Sequence, residues 1–174
     1  MSAFTRQKIA QYLAKYAADP SVGIVVSSDF CHWGERFRYT RYQASHDAAP
    51  QVLTSRSPSS AYAACPIHKS IEALDIDAMA RISFDKGGVW HAHDRFKSYI
   101  MTTRNTICGQ HPILLLLLML YELEKQGMAL ECKFTHYEVR YHSSHSHASK
   151  VAHAHTQRIA RYHTLPLTFD LSTS

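Results

Sequence analysis

The chain has 174 residues, 45% hydrophobic and 19% charged, a balance that predicts one soluble globular domain with a real core. Its formal net charge of +5 is spread thinly, with no dense basic block, so nucleic-acid binding is not expected. The cysteines Cys31, Cys65, Cys108 and Cys132 are expected as reduced thiols, since no secretory segment accompanies them.

Met1 opens onto a polar, amphipathic stretch, so no signal peptide is expected. Residues 4–18 predict a helix with Ile9, Leu13 and Tyr16 on its inner face. Asp19-Pro20 ends it, because proline cannot continue the hydrogen-bond ladder. An apolar run over 22–26 then stops abruptly at polar residues. That pattern predicts a buried strand over 22–27 in a parallel sheet covered on both faces. In open α/β sheets, ligands bind just beyond the carboxyl ends of such strands. Asp29 and His32 therefore stand where a site would be built, at the head of a loop over 29–41. The same residues also suit a plain strand-end turn, with Asp29 capping backbone amides and His32 packed on Trp33.

Residues 45–67 change character: rich in turn formers and poor in bulky apolar side chains, they are expected as a disordered inserted loop. Helical periodicity returns at Lys69, with Ile71, Leu74, Met79 and Ile82 on one stripe, and Gly87-Gly88 breaks it. Residues 93–102 predict a further helix with Phe96, Tyr99 and Ile100 inward. His111-Pro112 opens the next, which runs to Gln126 before a glycine stop at Gly127. Its run over 113–120 has no polar face and is expected between the sheet and other helices. That run is far shorter than the ~20 residues a spanning helix needs, so no membrane insertion is expected.

Residues 130–139 predict a strand with Cys132, Phe134 and His136 on one face. Beyond Tyr141 no period persists, although seven of the thirteen histidines lie between His136 and His163. Residues 142–174 are expected as an irregular tail. Its His142, His145, His147, His153 and His155 either bind Cu²⁺ or Ni²⁺ loosely or carry no function.

Cys108 lies just upstream of a predicted helix N-terminus, whose partial positive charge and unpaired N–H groups favour a thiolate, with His111 near enough to assist. Such a thiolate is a metal ligand or a nucleophile; a loop cysteine without a role fits the same sequence. Arg36, Arg38 and Arg41 alternate with Phe37, Tyr39 and Tyr42, which suits a phosphate or phosphotyrosine group as well as an ordinary solvated loop. Hydrolase and nucleotide-binding readings find no Gly-x-Ser-x-Gly elbow, Gly-rich phosphate loop or His-Glu-x-x-His helix.

Two longer motifs carry a family resemblance. Ser28-Asp29-Phe30-Cys31-His32-Trp33-Gly34 runs into Arg36-Phe37-Arg38-Tyr39, and Asn105-Thr106-Ile107-Cys108-Gly109-Gln110-His111-Pro112-Ile113 follows in the same order. Together they closely resemble the Memo family (mediator of cell motility), over about residues 4–139. The resemblance implies the C-terminal portion of a longer domain like the class III extradiol dioxygenases. The fold expected is α/β: a partial sheet flanked by helices over 1–141, with 45–67 as a disordered insertion and 142–174 as a His-rich tail.

The resemblance also implies Cys108 as a ligand of iron or copper, with Asp29, His32 and His111 lining the pocket and Cys31 in the core. The family's other ligands, histidines in Pro-His-Ala-Gly-Tyr-type and Ser-His-His-type motifs, have no counterpart in this sequence. A truncated chain with an incomplete metal site is therefore expected, self-associating through an exposed sheet edge. The implied role is redox-linked signalling in the cytoplasm, and in the nucleus with it, acting on the cytoskeleton and cell motility through phosphorylated partner proteins. Metal-dependent oxidoreductase activity stays open, and dioxygenase activity is not expected, since fold and activity are separable. The other readings are a non-catalytic phosphotyrosine-peptide module built on Arg36 and Arg38, and an inactive fragment of a longer gene product.

Overall fold

A computed structural model describes residues 2–85, 88–134, 137, 139–142 and 159–162. The most apolar stretch of the sequence forms its central helix. Along α4 (Gln110–Glu124), Ile113, Leu116, Leu117, Met119, Leu120 and Leu123 are buried. A helix apolar on every side must be covered on every side. Here α1 (Ala3–Ala17) and α3 (Val89–Thr103) both pack against it, and α2 (Ile67–Ile82) extends the layer by packing on α3. The cover is helical, where a sheet had been expected on one side.

The face that α1 buries is Ala10, Ala14 and Ala17, while Tyr16, expected inward, is 49% exposed. Alanines four and three residues apart make a smooth strip on which the large side chains of α4 can seat closely. Ser2 caps the helix by accepting from the Thr5 amide, and the Gln7 amide donates to Glu122 of α4. Lys125 pairs with the same Glu122 carboxylate at 2.6 Å.

The buried strand expected over 22–27 is not formed. Val25 is 90% exposed, and Val22 and Ile24 are exposed with it. Among the described residues no strand runs beside this segment, and apolar side chains cannot replace the ladder bonds a strand needs. The strand pairs present are short and antiparallel, not parallel. β1 (Arg41–Tyr42) pairs with β2 (Gln51–Val52), and β3 (Val139–His142) pairs with β4 (Ile159–Tyr162), Val139 opposite Tyr162. Where a strand was expected over 130–139, Cys132 instead makes a single antiparallel bridge to Phe84. His136 and the tail residues His145, His147, His153 and His155 lie outside the described residues.

Residues 45–67, expected to be disordered, are instead a built part of the fold. They contain β2 and a 3-10 turn over Ser59–Tyr62, and they bury Leu53. The Tyr42 hydroxyl donates to the Cys65 carbonyl at 2.7 Å, and the Ser55 amide to the Glu35 carboxylate at 3.1 Å. A handful of well-placed anchors offsets a composition that looks too polar to order itself. All four cysteines are free thiols, and no helix among the described residues is long and apolar enough to cross a membrane.

Candidate metal centre

Two loops build the site. In the first, Phe30, Cys31 and Trp33 point into the core, Phe30 edge-on to Phe134 at 5.8 Å and Trp33 donating its indole N–H to the Arg41 carbonyl at 2.8 Å. With those neighbours fixed inside, Asp29 and His32 are left half-buried, the ring nitrogens of His32 without exposed surface. The second loop runs from Asn105 to Gly109 and feeds α4.

Backbone contacts zip the two together. Cys31 bridges Ile107 antiparallel, the His32 amide donates to the Thr106 carbonyl at 3.4 Å, and the Gly109 amide to the Asp29 carbonyl at 3.2 Å. The Thr106 hydroxyl closes back onto the His32 carbonyl. The result brings a carboxylate, an imidazole and a thiol from Asp29, His32 and Cys108 within 4.8 Å of one another. Among the described residues this is the one such group of three. Cys108 is exposed and also donates from Sγ to the Asp29 carbonyl at 3.8 Å.

The thiol is not the low-pKa group that its place before a helix predicts. Burial and the Asp29 carboxylate push Cys108 up, against a downward pull from the amides of Cys108 and Gly109. The helix-end effect is present and is outweighed. His111, expected beside the thiol, is exposed on the first turn of α4 and is not among the converging side chains. Arg36 and Arg38 are exposed around the 3-10 turn Glu35–Phe37. The Phe37 ring of that turn lies 5.1 Å from the His32 ring, and the Arg36 guanidinium lies 5.9 Å from Phe37.

Beneath the loops is a buried polar group that periodicity alone did not single out. Asp75 of α2 has no exposed surface; its carboxylate accepts from the Cys31 amide at 3.2 Å and from the Tyr137 hydroxyl at 3.1 Å. Burial raises its pKa to about 8, against the downward pull of those bonds and of the Asn105 side chain. The signal was in the sequence: an acid lies on the stripe of Ile71, Leu74, Ala78, Met79 and Ile82, where only a satisfied polar group is tolerated.

A family model described as Memo-like protein matches residues 1–157. The chain belongs to the Memo family. It is 38% identical over 138 residues to Protein MEMO1 of Homo sapiens and equally to that of Mus musculus, covering 79% of this chain and 38% of each relative. It is 38% identical over 128 residues to the MEMO1 family protein MHO1 of Saccharomyces cerevisiae, 68% of this chain and 37% of that protein. The chain thus spans less than two-fifths of the length of the curated relatives it matches.

The expected limits of the resemblance are corrected by this match. Memo likeness does not stop near residue 139 as a C-terminal portion of the pattern; it continues to 157 and so takes in all four helices and β3. The described residues have an α/β Memo-like fold, small sheets with flanking helices, and the family match covers nearly the whole chain. Side-chain periodicity faded after Tyr141, but β3 and β4 are joined by backbone groups, which leave no periodic trace in the sequence.

Proposed function

We propose that this chain is a metal-binding Memo-family protein in which Asp29, His32 and Cys108 hold an iron or copper ion for redox-linked signalling in the cytoplasm and nucleus, acting on the cytoskeleton and cell motility. The observation that carries the reading is the convergence of three unlike donors from loops 79 residues apart. The donor set suits a first-row transition metal: thiolate and imidazole select for copper, iron or zinc, and the carboxylate supplies hard charge. Atoms up to 4.8 Å apart must close slightly, since metal–ligand bonds of ~2.0–2.3 Å bring neighbouring donors nearer than that. The exposed side of Cys108 leaves room for that closure.

When bound, such an ion supplies a redox couple at the surface. The chain's own residues hold the site: Cys108 must release its proton to bind, Asp29 contributes a negative charge, and Phe37 limits the turning of the His32 ring. No residue here is assigned a catalytic step. Cu²⁺ or Fe²⁺ titration of the chain, by calorimetry, should show one site that disappears in Cys108→Ser. An unchanged isotherm in that variant removes the proposal.

A second reading is favoured by the exposure of Arg36 and Arg38 beside the same loop: a phosphotyrosine-peptide site on phosphorylated signalling partners. Bidentate guanidinium groups suit that ligand. Fluorescence anisotropy with a phosphotyrosine peptide separates the readings, because peptide binding should fall in an Arg36→Ala, Arg38→Ala double variant and survive Cys108→Ser.

A further inference from the structure

We infer that Asp75 is the positioning residue of the candidate metal centre, bracing both of its loops from below. The inference rests on the metal reading proposed above and concerns a residue that touches no metal itself. Cys31, whose amide donates to Asp75 Oδ1 at 3.2 Å, lies between Asp29 and His32. Asn105, which opens the loop that ends in Cys108 and Gly109, reaches the same turn of α2 through the Tyr99 hydroxyl, which it bonds and which donates to the Leu74 carbonyl. The Leu74–Asp75 step of α2 is therefore tied to the loop carrying two of the donors directly and to the loop carrying the third through Tyr99.

The brace is itself held. Asn105 is buried and donates from Nδ2 to the Tyr99 hydroxyl at 2.8 Å, and that hydroxyl donates to the Leu74 carbonyl at 2.8 Å, one residue before Asp75. Tyr137 holds the second carboxyl oxygen at 3.1 Å. In a water-free interior, hydrogen bonds of this kind are strong and mutually polarising, and a broken member leaves its partners unpaired. The network thus fixes the spacing of Asp29 and His32 against Cys108, in the way that groups behind metal ligands commonly set ligand orientation. A polar plug in the core that merely fills space would have no reason to join these two loops in particular.

The test uses the whole chain with Asp75→Asn, with Asn105→Ser (which removes the second loop's bond to Tyr99), and with Val89→Ala, at the far end of α3 from Asn105, as a destabilised reference. Amide exchange is followed over residues 29–34 and 105–110, and Co²⁺ uptake through the thiolate-to-cobalt absorption band. Asp75→Asn should speed exchange in both loops and weaken Co²⁺ binding roughly 10-fold or more beyond the Val89→Ala reference. Asn105→Ser should act mainly on 105–110, and it decides the matter if Asp75→Asn does not fold. Loops that exchange no faster than in the reference, or unchanged Co²⁺ affinity, overturn the inference. If the unmodified chain takes up no Co²⁺ through Cys108, the metal reading fails on its own, while the exchange rates still decide whether Asp75 holds the loops.

Discussion

Gly109 stands so close to Ser27 that a Cβ built on it would lie 2.7 Å from the Ser27 carbonyl oxygen, and 2.8 Å from Ser28 Cα. The dihedrals of Gly109, φ −73° and ψ 1°, are ones any residue adopts, so glycine is required here for space and not for conformational freedom. The close approach is what lets the Gly109 amide reach the Asp29 carbonyl.

Gly109→Ala should therefore separate the two loops while leaving α4 intact. The expected stability loss is about 1–3 kcal/mol, in the range of other overpacked sites. Metal uptake should fall by more than that loss explains. Urea unfolding and calorimetric titration of the same preparation check both.

Burial of Asp75 makes stability depend on pH. Its folded pKa of about 8 stands above the ~3.9 of an unfolded aspartate. The folded chain then keeps a proton that the unfolded chain gives up, so this contribution is full below about pH 4 and is lost as pH rises towards about 8. Asp75→Asn has no such proton to lose. The stability difference between the unmodified chain and Asp75→Asn, measured by urea unfolding across that window, should shift in favour of the variant as pH rises. A difference that stays flat contradicts the assignment.

The exposed run before the site and the buried run in α4 should respond oppositely to truncation. Val25 is 90% exposed, so Val25→Ser should change stability by no more than ~0.5 kcal/mol. Leu117 has no exposed surface, and Leu117→Ala should cost about 2–5 kcal/mol. Thermal or urea unfolding of the pair distinguishes an irregular surface segment over 22–27 from a buried strand.

Residues 45–67 should behave as part of the domain. Limited proteolysis ought to leave them intact under conditions that leave the core intact. Tyr42→Phe, which removes the donor to the Cys65 carbonyl, should cost about 1 kcal/mol and make cleavage there faster.

The helices were legible because their signals are local. Ile71, Leu74, Met79 and Ile82 mark one face of α2, and the unbroken apolar run over 113–120 marks a helix with cover all round. What was lost depends on partners distant in the chain. The run over 22–26 has a strand's composition, but composition does not say whether another strand lies alongside. On α1, Leu13 packs against the core as expected and Tyr16 does not, while Ala10, Ala14 and Ala17 carry too little hydrophobic weight to stand out, although small size is the property that seats them on α4. In the site, Asp29, His32 and Cys108 were legible from motif and loop position. The raised thiol of Cys108 was not, since it depends on the Asp29 carboxylate arriving from elsewhere in the sequence. Asp75 is illegible for the same reason: its donors are the Cys31 amide and the Tyr137 hydroxyl, both distant in the chain.

Cys108 and Asp29 are neighbours only while the whole helical layer stands, because 79 residues and two complete helices, α2 and α3, separate them along the chain. No local fragment can present both. Anything that binds across the pair recognises the finished fold and stabilises it in proportion to ligand concentration. Occupancy of this centre would consequently work as a readout of conformational integrity: a chain that has loosened anywhere between the two loops drops its ligand before it loses its helices.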